Sequence, residues 1–333
     1  MKYWMITNRN VEAKKLGQQR AELTFWGADS VPLDALSTWH PMPSGDFKRA
    51  LIGAADQFPG LDELKEGQDQ RHVSLFVHGY NNDWKDAARR YTTVCRDMFE
   101  GNTGLGICVL FSWPSNGYVT DYLADRADAS ESGLDLAEVL CELYDWLLLK
   151  QKECVGAPDT ACKAKTSIIA HSMGNYVFQK AMQACWTRKN RPLLVSLITQ
   201  ALMVAADVDN DLFKCGEAND NSDGDAMANL TYRITALYNR RDDVLGCSAG
   251  LKHFGKRRLG RTGLDRTQPL PDNVWDVDCT SLVPPELGDP HGDYFKVGKA
   301  HVVTKLMQDL LRGIDREIIT QRYLTSKPTR NGK

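Results

Sequence analysis

Long hydrophobic runs are missing from this 333-residue chain, which excludes a membrane-spanning helix, since one needs roughly 18 consecutive apolar residues. The longest apolar stretch, Leu193 to Val208, is interrupted by Ser196, Thr199, Gln200 and Asp207. An excess of one charge is missing too. The 41 lysines and arginines nearly balance the 43 aspartates and glutamates. A formal net charge of −2 gives the chain as a whole no field to hold nucleic acid or an acidic membrane. No two of the nine cysteines form Cys-x-x-Cys, so neither a zinc site nor a thioredoxin-like motif is indicated. Cys95, Cys108, Cys141 and Cys185 fall in apolar segments, where cysteine behaves as a small hydrophobe. Cys154 and Cys162 flank a Gly-Ala-Pro-Asp stretch that a bridge would close, which a reducing compartment disfavours. Met1 to Asn10 turns polar too soon for a signal peptide. The expectation is a cytoplasmic protein with no membrane partner and no nucleic-acid partner.

What is present is ordinary for a globular chain: 42% hydrophobic and 25% charged residues. Short runs rich in β-branched and aromatic residues predict strands at Tyr3–Thr7, Glu22–Trp26, Val73–Val77, Ile107–Ser112, Thr166–Ala170, Ile198–Ala205, Tyr232–Tyr238 and Val274–Asp278. Amphipathic stretches predict helices at Trp84–Phe99, Ala129–Lys150, Tyr176–Thr187 and Gly298–Gly313. From Val73 onward strands and helices alternate, which argues for an α/β fold with a mostly parallel sheet and helices on both faces. A single domain over 1–312 is expected. It carries a polar loop at about 214–229 and a basic loop or lid at about 251–272. The remaining 313–333 would be an extension with a disordered end.

Ala170-His171-Ser172-Met173-Gly174 joins a predicted strand directly to a predicted helix. Small residues on either side of Ser172 permit a tight, strained turn that lifts its Oγ out of the sheet, as a nucleophile requires. The helix start behind it supplies backbone N–H groups able to stabilise an anion. A second strand ends in His78-Gly79-Tyr80, where a loop could supply the other half of an oxyanion hole. Met173 and Tyr80 N–H are the candidate donors, with His78 bracing the loop. The competing explanation is a buried serine in an ordinary strand-to-helix turn.

A serine hydroxyl needs a base, and the base needs a carboxylate to orient it. In this architecture the expected chain order is Ser, acid, His. Asp242, in the turn after strand Tyr232–Tyr238, is the preferred acid. Asp243, Asp207 and Asp209 are the alternatives, and any one of them could instead cap a helix or a turn. His291, in the loop Gly288-Asp289-Pro290-His291-Gly292-Asp293, is the preferred base. His253 lies in the basic segment, and His301 is expected one turn inside the last helix. His40 and His72 receive no role.

These residues resemble the α/β-hydrolase superfamily, and within it a branch of largely uncharacterised bacterial hydrolases. The resemblance rests on Phe76-Val77-His78-Gly79-Tyr80-Asn81, on Phe111-Ser112-Trp113-Pro114-Ser115 with Tyr122, Asp125 and Arg126, and on Ala170-His171-Ser172-Met173-Gly174-Asn175. It covers about 1–312, firmly from Val73 to Asn175 and loosely beyond. It implies the fold, the Ser172/Asp242/His291 roles and hydrolysis of an ester-like bond. The branch usually carries a late Gly-His-Ser-Tyr-like segment, whereas here an extra residue separates His291 from Tyr294.

Trp113, Pro114 and Tyr118, together with His78, could line a substrate pocket or simply pack in the core. Asp125 and Arg126 suit a structural ion pair better than a substrate clamp. The basic stretch Lys252–Arg266 could steer an anionic substrate, though such runs are usually solvated faces. The expected activity is cleavage of a small-molecule carboxylic ester through an acyl-enzyme, with no cofactor and no metal. Thioesterase, amidase or acyltransferase chemistry would use the same residues. A non-catalytic binding protein on a hydrolase fold is the alternative class. Oligomeric state is left open.

Overall fold

Alternating side chains in the strands divide the buried residues between two faces of one sheet. The computed structural model describes residues 1–12, 15–60, 63–64, 66, 69–80, 82–115, 122–154, 163–187, 198–215 and 222–325. Its strands are β1 (Tyr3–Glu12), β2 (Lys15–Ala28), β3 (His40–Met42), β4 (His72–Val77), β5 (Gly106–Ser112), β6 (Lys165–His171), β7 (Ile198–Val204), β8 (Thr231–Tyr238) and β9 (Val274–Asp278). They form one sheet in the order β3-β2-β1-β5-β4-β6-β7-β8-β9. The β1–β2 and β2–β3 pairs are antiparallel, and all other pairs are parallel. This is the mostly parallel α/β sheet expected from the sequence.

The helices are α1 (Ser44–Ala55), α2 (Trp84–Val94), α3 (Tyr122–Cys154), α4 (Gly174–Thr187), α5 (Ser222–Leu230), α6 (Asp243–Cys247), α7 (Leu259–Thr262), α8 (Val302–Arg312) and α9 (Arg316–Ile319). Leu75, Val77, Val109, Phe111, Ile168 and Ala170 face the helices α1, α3, α4 and α5. The intervening Phe76, Leu110 and Ile169 face α2 and α8. A period of two, with both faces apolar, is what a parallel strand covered on both sides requires.

Several expectations need correction. The polar stretch near 214–229 holds a helix at Ser222–Leu230, because Ala226, Met227 and Leu230 are buried against the core. The basic segment is not simply a solvated loop, since its Arg258 is fully buried and Leu259–Thr262 is helical. The start of the expected extension packs as well, with Ile319 and Tyr323 buried, and 326–333 lie outside the described residues. His301 is not inside α8. It caps the helix start, its Nδ1 accepting from Val303 N–H at 3.2 Å. Cys162 lies outside the described residues, and with it the bridge to Cys154. Among the described residues no helix is long and apolar enough to cross a membrane.

Strand order places the site. The chain moves from β4 to β5 on one side and returns to β6 on the other, so β4 and β6 are neighbours where the winding reverses. A crevice opens beyond the carboxyl ends of such a pair. The loop after β4 and the turn after β6 meet there.

Candidate active site

Ser172 follows β6 with φ of 54°, in the left-handed region that a non-glycine residue enters only under constraint. The constraint is a set of backbone bonds. Ser172 N–H donates to Val204 O at 3.0 Å, and Ser172 O accepts from Asp207 N–H and Asn175 N–H, both at 3.1 Å. The Asn175 side chain donates to Ala170 O at 3.0 Å and to Ser172 O at 3.1 Å, closing the turn across its base. At Gly174 a Cβ would overlap the carbonyl oxygens of His78 and Val77, so the turn and the β4 loop can approach only because this residue is glycine.

His291 and Asp242 converge on this serine. His291 Nε2 lies 2.8 Å from Ser172 Oγ, and Nδ1 lies 2.7 Å from Asp242 Oδ2. Asp242 is fully buried after β8. Its other oxygen accepts from Leu245 N–H at 2.9 Å, capping α6. The carboxylate can only accept, so Nδ1 carries the proton and Nε2 turns a lone pair to the serine hydroxyl.

The loop carrying His291 is tied to itself. Asp289 N–H donates to Asp293 Oδ2 at 2.8 Å, Gly292 N–H donates to Asp289 Oδ1 at 3.1 Å, and Lys296 pairs with Asp289 at 2.6 Å. The extra residue before Tyr294 is absorbed in a short 3₁₀ turn at Asp293–Phe295.

The loop after β4, the candidate oxyanion loop, is braced by side-chain bonds. His78 Nδ1–H donates to Gly79 O at 2.8 Å, while its Nε2 accepts from Trp113 N–H at 3.2 Å. Asn82 donates to Gly79 O at 2.9 Å and to Tyr80 O at 2.8 Å. In a trans peptide C=O and N–H point opposite ways. With the Gly79 carbonyl held by His78 and Asn82, the Tyr80 N–H of the same peptide points away from those two side chains. A Cβ on Gly79 would lie 2.7 Å from Ser172 Cβ, so glycine serves here by leaving room. Burial, then the nearby Arg9, pushes the His78 pKa down to about 3, keeping the ring neutral.

The pocket expectation for His78 and Trp113 needs correction. Both are fully buried and stacked on one another with centroids 5.3 Å apart, so they pack beneath the loop after β4. Tyr118 lies outside the described residues.

The other acids are occupied elsewhere. Buried Asp207 accepts from Tyr122 Oη at 2.7 Å, Ser248 Oγ at 2.9 Å and Arg258 Nε at 2.8 Å. Burial alone would raise its pKa, but Arg258, Tyr122, Arg126 and Ser248 hold it below the usual carboxylate range. Asp209 pairs with Arg258 and Lys256. Asp243 is 91% exposed beside Arg261. His253 Nε2 meets Tyr122 Oη at 2.6 Å. Asp125 accepts from Ser115 Oγ at 2.9 Å, and Arg126 lies 3.8 Å over the Tyr176 ring, so the structure gives these two different partners. Sequence reasoning gave no role to Asn82, whose side chain holds the Gly79 and Tyr80 carbonyls. Asn175 stood in the quoted motif but was given no role.

Comparison with a known family agrees with this architecture. A sequence model described as "Alpha/beta hydrolase of unknown function (DUF900)" matches residues 60–273, a span that includes Ser172 and Asp242 and stops short of His291. An uncharacterised protein of Nostoc sp. (strain PCC 7120), alr1448, is 24% identical over 286 residues, covering 68% of this chain and 70% of that protein. Phospholipase PlaB from Legionella pneumophila aligns at a TM-score of 0.26 and 14% identity. That alignment covers 55% of this chain and 42% of the phospholipase. The chain belongs to the alpha/beta hydrolase family of unknown function DUF900.

Proposed function

We propose that this hydrolase cleaves a carboxylic ester through a Ser172–His291–Asp242 triad and an acyl-enzyme. The observation supporting this reading is the unbroken chain of contacts, 2.8 Å from serine to histidine and 2.7 Å from histidine to aspartate, with the serine at the carboxyl end of the strand pair where the winding reverses. His291 Nε2 takes the Ser172 proton as Oγ attacks the carbonyl carbon. Asp242 holds the tautomer and stabilises the imidazolium. Tyr80 and Met173 N–H groups bind the oxyanion. His291 then protonates the departing alkoxide, and a water that it deprotonates releases the acid. An ester is less demanding than an amide because an alkoxide leaves the tetrahedral intermediate more readily than an amine. A thioester, an amide or transfer to another acceptor would use the same groups. No step calls for a cofactor.

Turnover of a p-nitrophenyl ester series by wild type and by Ser172→Ala tests the reading. Hydrolysis by wild type, reduced to background in the variant, is expected. Equal turnover by both proteins would remove Ser172 from the mechanism.

A further inference from the structure

His171, the residue before the proposed nucleophile, is buried yet has no part in the proton path above. Its ring lies beside that of His291, with centroids 5.0 Å apart. Nε2 stands 3.0 Å from the His291 carbonyl oxygen. A carbonyl only accepts, so Nε2 carries the proton. Nδ1 faces Arg90 Nη1 at 3.5 Å. A guanidinium only donates, so Nδ1 keeps its lone pair. Two neighbours on opposite sides demand the same neutral tautomer.

The surroundings keep it so. Arg90 faces the ring from α2, His291 from the loop after β9, and His78 from the loop after β4. Burial first, then Arg90 and His291, holds the His171 pKa well below the ordinary value. A Cβ on Gly79 would lie 2.8 Å from His171 Nδ1, so that glycine also makes room for this contact. Arg90 reaches the histidine loop a second time. A Cβ on Gly292 would lie 3.1 Å from its Nη2, and its guanidinium sits 5.8 Å from the Phe295 ring centre.

We propose that Arg90 and His171 form a positioning strut that fixes the His291 peptide over Ser172, so that Nε2 stays within proton-transfer reach of Oγ. His291 needs it because short turns alone separate β9 from α8, and the residue itself lies in neither a strand nor a helix. An error of about 1 Å in such a pair can cost a hundredfold in rate. The inference rests on the triad reading, and His171 is a positioning residue within it.

The test compares His171→Gln, His171→Phe and Arg90→Met in ester turnover and in the rate of labelling by a fluorophosphonate. Glutamine keeps an N–H donor at similar reach and is expected to stay within about threefold of wild type, less than one hydrogen bond is worth. Phenylalanine fills the space without the donor. It is expected to lower kcat and labelling about tenfold or more, with KM unchanged. Arg90→Met, at a partly buried position, should lower kcat severalfold. Undiminished kcat in His171→Phe, an equal fall in His171→Gln, or a loss confined to KM overturns the strut. If His171→Phe does not fold, Arg90→Met decides, and unchanged kcat there overturns the proposal. A wild type that neither turns over ester nor takes label is a different result. It defeats the triad reading, and the strut with it.

Discussion

Replacing Asp242 by asparagine separates orientation of the base from stability of the fold. The carboxylate has two partners, Leu245 N–H at 2.9 Å and His291 Nδ1 at 2.7 Å. Asparagine caps a helix as well as aspartate, so its amide oxygen keeps the Leu245 bond and α6 is retained. That bond leaves the amide NH₂ as the group facing His291. Nδ1 must then accept, the proton moves to Nε2, and the ring can no longer take a proton from Ser172. Wrong-tautomer substitutions of this kind lower kcat by ~10⁴, about 5.5 kcal/mol in the barrier. Stability should change by less than about 1 kcal/mol. The assay is kcat and KM on a p-nitrophenyl ester, with the fluorophosphonate labelling rate and the urea midpoint measured on the same preparation. Labelling at the wild-type rate, or a loss of activity that tracks a loss of folded protein, refutes the reasoning.

Three further outcomes follow from particular contacts. Arg258→Met strands the buried Asp207 carboxylate and should cost about 3–5 kcal/mol by urea unfolding, and a change under about 1 kcal/mol would contradict the buried pair. His72 and His78, both fully buried, are pushed to about 3, chiefly by burial. Their folded pKa values lie below the unfolded one, so the unfolded chain gains protons first as pH falls below ~6.5 and toward 3. Each should remove about 2 kcal/mol of stability between pH 7 and pH 5, and a urea midpoint that holds or rises over that range would contradict it. Gly174→Ala drives a methyl into the His78 and Val77 carbonyls and should lower kcat more than about a hundredfold, whereas wild-type kcat would mean the turn is looser than drawn.

The sequence carried the parallel half of the sheet because strands buried on both faces read as apolar runs. Predicted Val73–Val77, Thr166–Ala170 and Val274–Asp278 sit within β4, β6 and β9. Ser172 was legible because its turn needs small neighbours in a fixed local pattern. The antiparallel edge was less so. β3 is three residues long, and α1, with Gly45 and Gly53, has weak local preference and is held by packing through Phe47. The choice between Asp242 and Asp207 was not local either, since both follow parallel strands. Arg258, 51 residues beyond Asp207, occupies one of them, and the loop from β9 to α8 brings His291 to the other. Arg90 could not be singled out, because one arginine on a helix face looks like any other until His171 is placed beside it.

The most direct test of the central claim is mass mapping of the protein after reaction with a fluorophosphonate. The account predicts one adduct per chain, on the peptide containing Ser172, and none in Ser172→Ala. Absence of an adduct on folded wild-type protein, or a stoichiometric adduct on another residue, would contradict it.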